Sequence, residues 1–220
     1  MQHVFVDFEM TCWDRKDRIA ITKASEIIQI GAVRLDEGYN LKDTFSLLVK
    51  PQHGTYISKK CTKLTGISYS QLENAPSLDE ALILFEDWIG EDETRFYSWS
   101  NSDRLQLEKE CVQKGLYQKL PKCYLRWRDM QRIFMKVYGF TRAIKLKDAV
   151  EILGMDFDGR QHSALDDALN GAMILNLMKD KKRHEAQKKK INDIYFNNKT
   201  ICASIGELVG DKLKLLALAG

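Results

Sequence analysis

The 220-residue sequence has no apolar run approaching the ~18 residues of a membrane-spanning helix, which excludes integral membrane proteins built on helices. It has no secretory leader pattern either, since Met1 runs straight into a short apolar stretch with acidic residues inside it. The five cysteines (Cys12, Cys61, Cys111, Cys123 and Cys202) are odd in number, scattered, and form no Cys-x-x-Cys pair. That argues against a disulfide framework and against a zinc ribbon. These absences lead to the expectation of a cytoplasmic, non-membrane protein whose thiols stay reduced. No internal repeat is present.

What is present suits one substantial domain with an appendage. A 44% hydrophobic and 10% aromatic content can build a full core, and 30% charged residues fit a soluble protein. The net charge of +3 is unevenly spread. Residues 181–220 hold nine Lys/Arg against four Asp/Glu, a net of +5, which leaves 25 basic and 27 acidic residues in 1–180, a net of −2. The expected division is therefore a body at 1–180 and a basic, helical extension at 181–220. A basic tail permits a polyanionic partner without establishing one.

His3–Glu9 reads as a strand, apolar and β-branched with carboxylates at its end. Glu26–Leu35 and Asp43–Val49 read as two more, joined through the Asp36-Glu37-Gly38 turn closely enough to be antiparallel neighbours. A charged loop, Trp13–Lys23, separates the first two strands. Ser77-Leu78-Asp79-Glu80 is a capping box, and Ala81, Leu82, Phe85 and Trp88 follow at helical spacing. Then come a strand at Arg95–Trp99, a helix from Ser102 to Gly115, a strand at Tyr124–Trp127, and helices at Met130–Tyr138, Leu146–Leu153 and Ala164–Met178. Lys181–Lys190 either prolongs the last helix or forms a linker, and a capping box at Ser204–Glu207 opens a small helix to Leu218. A strand meander followed by strand–helix alternation predicts an α/β mixed sheet flanked by helices.

Three groups of residues carry candidate chemistry. Asp7 and Glu9, two apart on a strand, point to one face at the edge of an apolar core. Like charges repel there unless a cation sits between them, and Mg²⁺ or Mn²⁺ prefer oxygen ligands. Asp-x-Glu alone is common, and two solvent-facing acids on an amphipathic strand give the same pattern. Asp103 opens a helix, where the dipole by itself favours an acid. His162 and Asp167, five apart, would stand about 140° from each other on one helix. With Ser163 as N-cap and Asp166 at N3, His162 falls outside the helix and can bend back over the site that Asp167 faces. In that reading Asp166 caps and Asp167 binds.

The order Asp7-x-Glu9, Asp103, His162-x4-Asp167 resembles the DEDDh branch of DnaQ-like 3′→5′ exonucleases. Glu26-Ile27-Ile28-Gln29-Ile30-Gly31-Ala32-Val33 resembles that family's second strand, and Lys50-Pro51, Leu64-Thr65-Gly66-Ile67 and Ala75-Pro76-Ser77 its following segment. His162-Ser163-Ala164-Leu165-Asp166-Asp167-Ala168 is similar to its third motif. The likeness covers residues 2–179. Asp7-Phe8-Glu9-Met10-Thr11-Cys12-Trp13 and Ile57-x-x-x-Cys61-x-x-Leu64-Thr65-Gly66-Ile67 resemble most the exoribonucleases that trim small RNAs and RNA 3′ ends.

The resemblance implies a ribonuclease-H-like fold, a five-stranded mixed sheet with helices on both faces. It implies that Asp7, Glu9, Asp103 and Asp167 hold two Mg²⁺ or Mn²⁺ ions, that His162 is the general base, and that nucleoside 5′-monophosphates are released. Met10, Thr11, Leu64 and Thr65 would frame the terminal nucleotide, although Leu64 could equally plug the core. Trp13, Trp99 and Trp127 could stack on bases, with core packing the preferred reading for Trp99 and Trp127. The implied partner is nucleic acid with a free 3′ end, RNA favoured over DNA. A DNA proofreading or repair exonuclease is the alternative within the family. A catalytically silent nucleic-acid-binding module would be expected to lack a ligand or the base, and all five residues are present. An endonuclease of the same fold would not need the His162-x4-Asp167 arrangement. The tail reads either as a solvated extension whose apolar end folds back or pairs two subunits, or as a grip on the strand.

Overall fold

The computed structural model describes residues 1–13, 25–52 and 57–197. The chain divides into two compact units, Met1–Lys179 and Asp180–Gly220. In the first, β1 (Gln2–Met10), β2 (Ile27–Leu35), β3 (Leu41–Leu48), β4 (Thr94–Ser98) and β5 (Arg128–Asp129) form one sheet in the order β3-β2-β1-β4-β5. β1 runs antiparallel to β2, and β2 to β3, whereas β4 is parallel to β1 and β5 to β4. The mixed sheet read from the sequence is therefore present, with β1 at its centre.

Strand alternation sorts β1 between two layers. Val4, Val6 and Phe8 enter a core with Leu78, Leu82 and Phe85 of α3 (Leu78–Ile89) and Leu107 and Cys111 of α4 (Ser102–Gln113). α3 starts where expected: the Ser77 amide donates to Glu80 Oε2 at 2.8 Å, closing the capping box. Phe5, Asp7 and Glu9 face the other way, toward α7 (Ala164–Lys179), which crosses β1 and β2. Two glycines let α7 come close. A Cβ on Gly171 would lie 2.2 Å from the Phe5 ring, and one on Gly31 would lie 2.1 Å from the Ala164 carbonyl carbon. Because Gly31 pairs with Asp7 across the sheet, this approach brings the start of α7 over the acidic end of β1.

The fifth strand differs from the expectation. Tyr124–Trp127 is not a strand: Lys122–Arg126 is a 3₁₀ helix opened by Pro121, whose carbonyl accepts the Tyr124 amide at 2.8 Å. Tyr124 on that helix and Trp127, the extended residue that ends it, both enter the core. The strand follows at Arg128–Asp129, before α5 (Met130–Tyr138). Two short helices, α1 (Lys59–Thr65) and α2 (Tyr69–Leu72), were not anticipated. α6 (Leu146–Ile152) matches the expected short helix. Trp99 packs on Phe134 and donates to the Ile144 carbonyl, and Trp127 donates to Ser98 Oγ, so both are core residues.

In the second unit, Lys181–Ile191 forms a separate helix, α8, capped by Asp180, whose carboxylate accepts the Arg183 amide at 3.1 Å. A π-helical turn, Asn192–Asn197, follows. The expected helix from Ser204 to Leu218, Cys202, and most of the Trp13–Lys23 loop lie outside the described residues.

Candidate active site

The acids of β1 meet α7 because of what fixes the N-terminus of that helix. Gln29, the cross-strand partner of Glu9, accepts the Ala164 amide on its side-chain oxygen at 3.2 Å. Beside it Gly31 leaves room for the Ala164–Leu165 backbone. Three α7 side chains then fasten the incoming loop. Asn170, fully buried, binds both the carbonyl and the amide of Asp158, at 2.8 and 3.0 Å. Asp166 accepts the Arg160 amide at 2.9 Å, and Asp167 accepts the His162 amide at 3.1 Å. Gly159, at φ +77°, lies against the Asp166 carboxylate, where a Cβ would sit 2.5 Å from its carboxyl carbon.

His162 adopts φ 60°, the left-handed region that a non-glycine residue seldom occupies. It lies outside the helix and doubles back, as the spacing suggested. One ligand-capable atom each from Glu9, His162 and Asp167 lie within 4.8 Å of one another. Asp166 departs from the expected capping box: its carboxylate holds Arg160 of the loop.

Asp103 arrives from the other side. Parallel pairing of β1 with β4 ends at Phe5↔Tyr97, so the Phe8 amide beyond it has no strand partner on that side. Asp103 Oδ1 accepts it at 3.1 Å. α4 is anchored by a buried cluster that sequence reading missed. Lys114 bridges Glu26 and Glu110 at 2.8 Å each, and Glu110 also accepts the Ile27 amide at 2.8 Å.

Electrostatically the site is acid crowded on acid. Burial first, then Asp103, Asp167 and Glu9, hold Asp7 well above the ordinary carboxylate range. Burial and the Asp167 and Asp103 charges push Glu9 up to about 8, with Arg160 opposing. Burial raises Asp103 to about 6 against the Phe8 amide, and Asp167 to about 6 against the His162 amide. His162 is lowered by burial and then by the Arg160 and Lys145 charges, which keeps its imidazole neutral and able to accept a proton. Among the described residues, no Lys or Arg comes within ion-pair distance of Asp7, Glu9, Asp103 or Asp167. Four carboxylates kept together without a cationic side chain, and hard oxygen donors with one imidazole, suit divalent cations such as Mg²⁺ or Mn²⁺.

The residues read as framing a nucleotide divide. Leu64, on α1, is exposed. The Thr65 hydroxyl is engaged, donating to the Cys61 carbonyl and accepting the Ile67 amide. The Thr11 hydroxyl accepts the Glu26 amide, and Met10 is a half-buried core residue whose carbonyl takes the Cys61 thiol. Sequence reading missed Asn170 and Arg160. A polar residue one turn after Asp166 on the same helix face was the available signal for Asn170.

Residues 4–175 match the RNase T exonuclease family. The chain belongs to this exonuclease family. The exonuclease resembles the nuclease domain of 3′hExo, described as a DEDDh family member bound to rAMP. The TM-score is 0.73 at 27% identity, over 83% of this chain and 94% of that one. It is 28% identical to the 3′-5′ exonuclease Snipper of Drosophila melanogaster, over 80% of this chain and 69% of that protein. It is 32% identical to human 3′-5′ exoribonuclease 1, over 77% of this chain and 50% of that protein. It spans only 34% of the zebrafish ERI1 exoribonuclease 2 that it matches at 31% identity. These relatives put the exonuclease among the DEDDh 3′–5′ enzymes, and its five-stranded sheet is theirs.

Proposed function

We propose that the chain is a metal-dependent 3′→5′ exonuclease that trims single-stranded nucleic acid, RNA in preference to DNA, to nucleoside 5′-monophosphates. The convergence of Asp7, Glu9, Asp103 and Asp167 around His162 carries the reading. The four carboxylates would hold two Mg²⁺ or Mn²⁺ ions, which when bound supply charge to activate water and to stabilise the developing oxyanions. His162, pinned through its amide to Asp167 and kept neutral, accepts the proton of the attacking water. Asp103 is held in place by the Phe8 amide on one carboxylate oxygen and the Ser102 hydroxyl on the other. Exposed Leu64 offers an apolar surface to the terminal base, while Thr11, Thr65 and Met10 support the loops around it. The preference for RNA is supported by the exoribonucleases among the relatives and by the loop sequence they resemble.

The body at 1–180 carries this chemistry, and the basic extension is assigned either contact with the strand or self-association. The test is incubation with matched end-labelled RNA and DNA strands, with Mg²⁺ present or chelated. Stepwise shortening of RNA from the 3′ end only with metal is expected. Faster loss of DNA would move the reading to proofreading or repair, and binding without hydrolysis would move it to a silent module.

A further inference from the structure

Arg160 is a cation held beside this acidic site by its own loop, and its bonding is incomplete. Its main chain is held by Asp166, and its guanidinium donates to the carbonyl of Thr65 at the end of α1. The same guanidinium lies against Gly66, where a Cβ would fall 2.0 Å from Nη1. Gly66 caps α1 in the left-handed conformation at φ 68°. The guanidinium therefore lies between the end of α1, which displays Leu64, and the loop that displays His162. It forms no ion pair with any described carboxylate, although it is near enough to influence the charge of Glu9, Asp167 and His162. A guanidinium has five N–H donors, and the Thr65 carbonyl takes one of them.

A helix-terminal latch would explain the bond to Thr65. It does not explain why an exposed arginine close to Glu9 and Asp167 forms no ion pair with either of them. Those acids repel an incoming phosphate, so an anionic substrate gains from a donor that they do not already occupy. Arginine meets phosphate through two parallel N–H bonds, and an edge anchored on a carbonyl orients the other edges in advance.

Resting on the exonuclease reading, we propose that Arg160 is the phosphate-gripping residue of the site, holding the phosphate 5′ to the terminal nucleoside while Leu64 meets its base. By tying the end of α1 to the His162 loop, it fixes the spacing between base and phosphate.

The test is equilibrium binding of AMP and of adenosine to the full chain, in Mg²⁺, for the unaltered protein, Arg160→Gln and Arg160→Lys. The unaltered protein should bind AMP more tightly than adenosine. Arg160→Gln should lose about 10- to 100-fold in AMP affinity, as expected for a charge-assisted contact, and keep its adenosine affinity. Arg160→Lys should recover part of the AMP affinity, because it keeps the charge and loses the fork. Equal losses for AMP and adenosine in both variants would reduce Arg160 to a latch, and no loss in either would overturn the grip outright. Hydrolysis of end-labelled RNA by the unaltered chain is scored separately. Cleavage alongside an undiminished AMP preference in Arg160→Gln overturns the grip and leaves the exonuclease reading standing.

Discussion

Replacing Gly31 by alanine tests whether the close approach of α7 builds the site. The added Cβ would stand 2.1 Å from the Ala164 carbonyl carbon and 2.3 Å from the Leu165 nitrogen, whereas ordinary contact begins at 3.4 Å. Both obstacles are backbone, so no side chain can swing aside, and the start of α7 must retreat by about 1 Å. Asp167 and the His162 amide it holds would retreat with it, away from Glu9 and Asp7. Overpacking of this kind costs about 1–3 kcal/mol of stability. Displacing reacting groups by about 1 Å costs on the order of 10²-fold in rate. Gly115→Ala is the matched control. At φ +68° it strains the backbone by about 1–2 kcal/mol, and nothing lies within 4 Å of its new Cβ. Thermal unfolding and initial rates at saturating Mg²⁺ should show both variants destabilised and only Gly31→Ala slowed about 100-fold. If Gly31→Ala turns over as fast as Gly115→Ala, the sheet–helix approach does not set the site.

His162→Ala should retain metal and strand binding while turnover drops about 10²–10⁴-fold. Because the imidazole is held below its usual 6.5, the acidic limb of the rate profile should fall below that pH and vanish in the variant; an unchanged profile would leave His162 structural. The metal-free protein should lose stability as pH rises from about 4.5 toward about 8. The folded state holds protons on Glu9 and its neighbours that the unfolded chain has released, so stabilisation present at low pH disappears on ionisation. At about 1.4 kcal/mol per pKa unit the loss is a few kcal/mol, and Mg²⁺ should restore it; a flat metal-free profile in chemical denaturation would refute the crowding. Lys114→Met strands two buried carboxylates and should cost about 3–5 kcal/mol, checked by urea unfolding, where a loss under 1 kcal/mol would exclude an anchoring role. Truncation after Asp180 should spare very short oligonucleotides and weaken binding of longer strands. It should also flatten the log–log salt slope by about 0.7 for each phosphate that the tail had neutralised. Unchanged long-strand binding would exclude an electrostatic grip, and altered oligomeric state would favour self-association.

The central strands were legible because β1 to β4 carry dense apolar and β-branched residues, and one face must be buried. β5 was misplaced because Tyr124 and Trp127 are as apolar as strand residues. Pro121 instead opens a 3₁₀ helix at Lys122–Arg126, whose own hydrogen bonds are invisible in composition. The convergence of Glu9, His162 and Asp167 could be inferred because a histidine just before a helix can occupy the left-handed region and return over its first turn. The identity of the anchors could not. Whether Asp166 caps Ser163 or holds Arg160 depends on the course of the loop, and three α7 side chains decide that together. The i,i+4 spacing of Glu110 and Lys114 is readable in the sequence, but no pattern announces that Lys114 also bridges Glu26, 88 residues away, since that pairing exists only in the folded chain.

The most direct measurement is the fate of two single-stranded RNAs of one sequence, one linear with a labelled 3′ end and one closed into a circle, in Mg²⁺ and in chelator. A metal-dependent 3′→5′ exonuclease gives labelled nucleoside 5′-monophosphate as the first product from the linear strand in Mg²⁺, none in chelator, and an intact circle throughout. Cutting of the circle, a longer labelled fragment as the first product, or equal hydrolysis in chelator would contradict it.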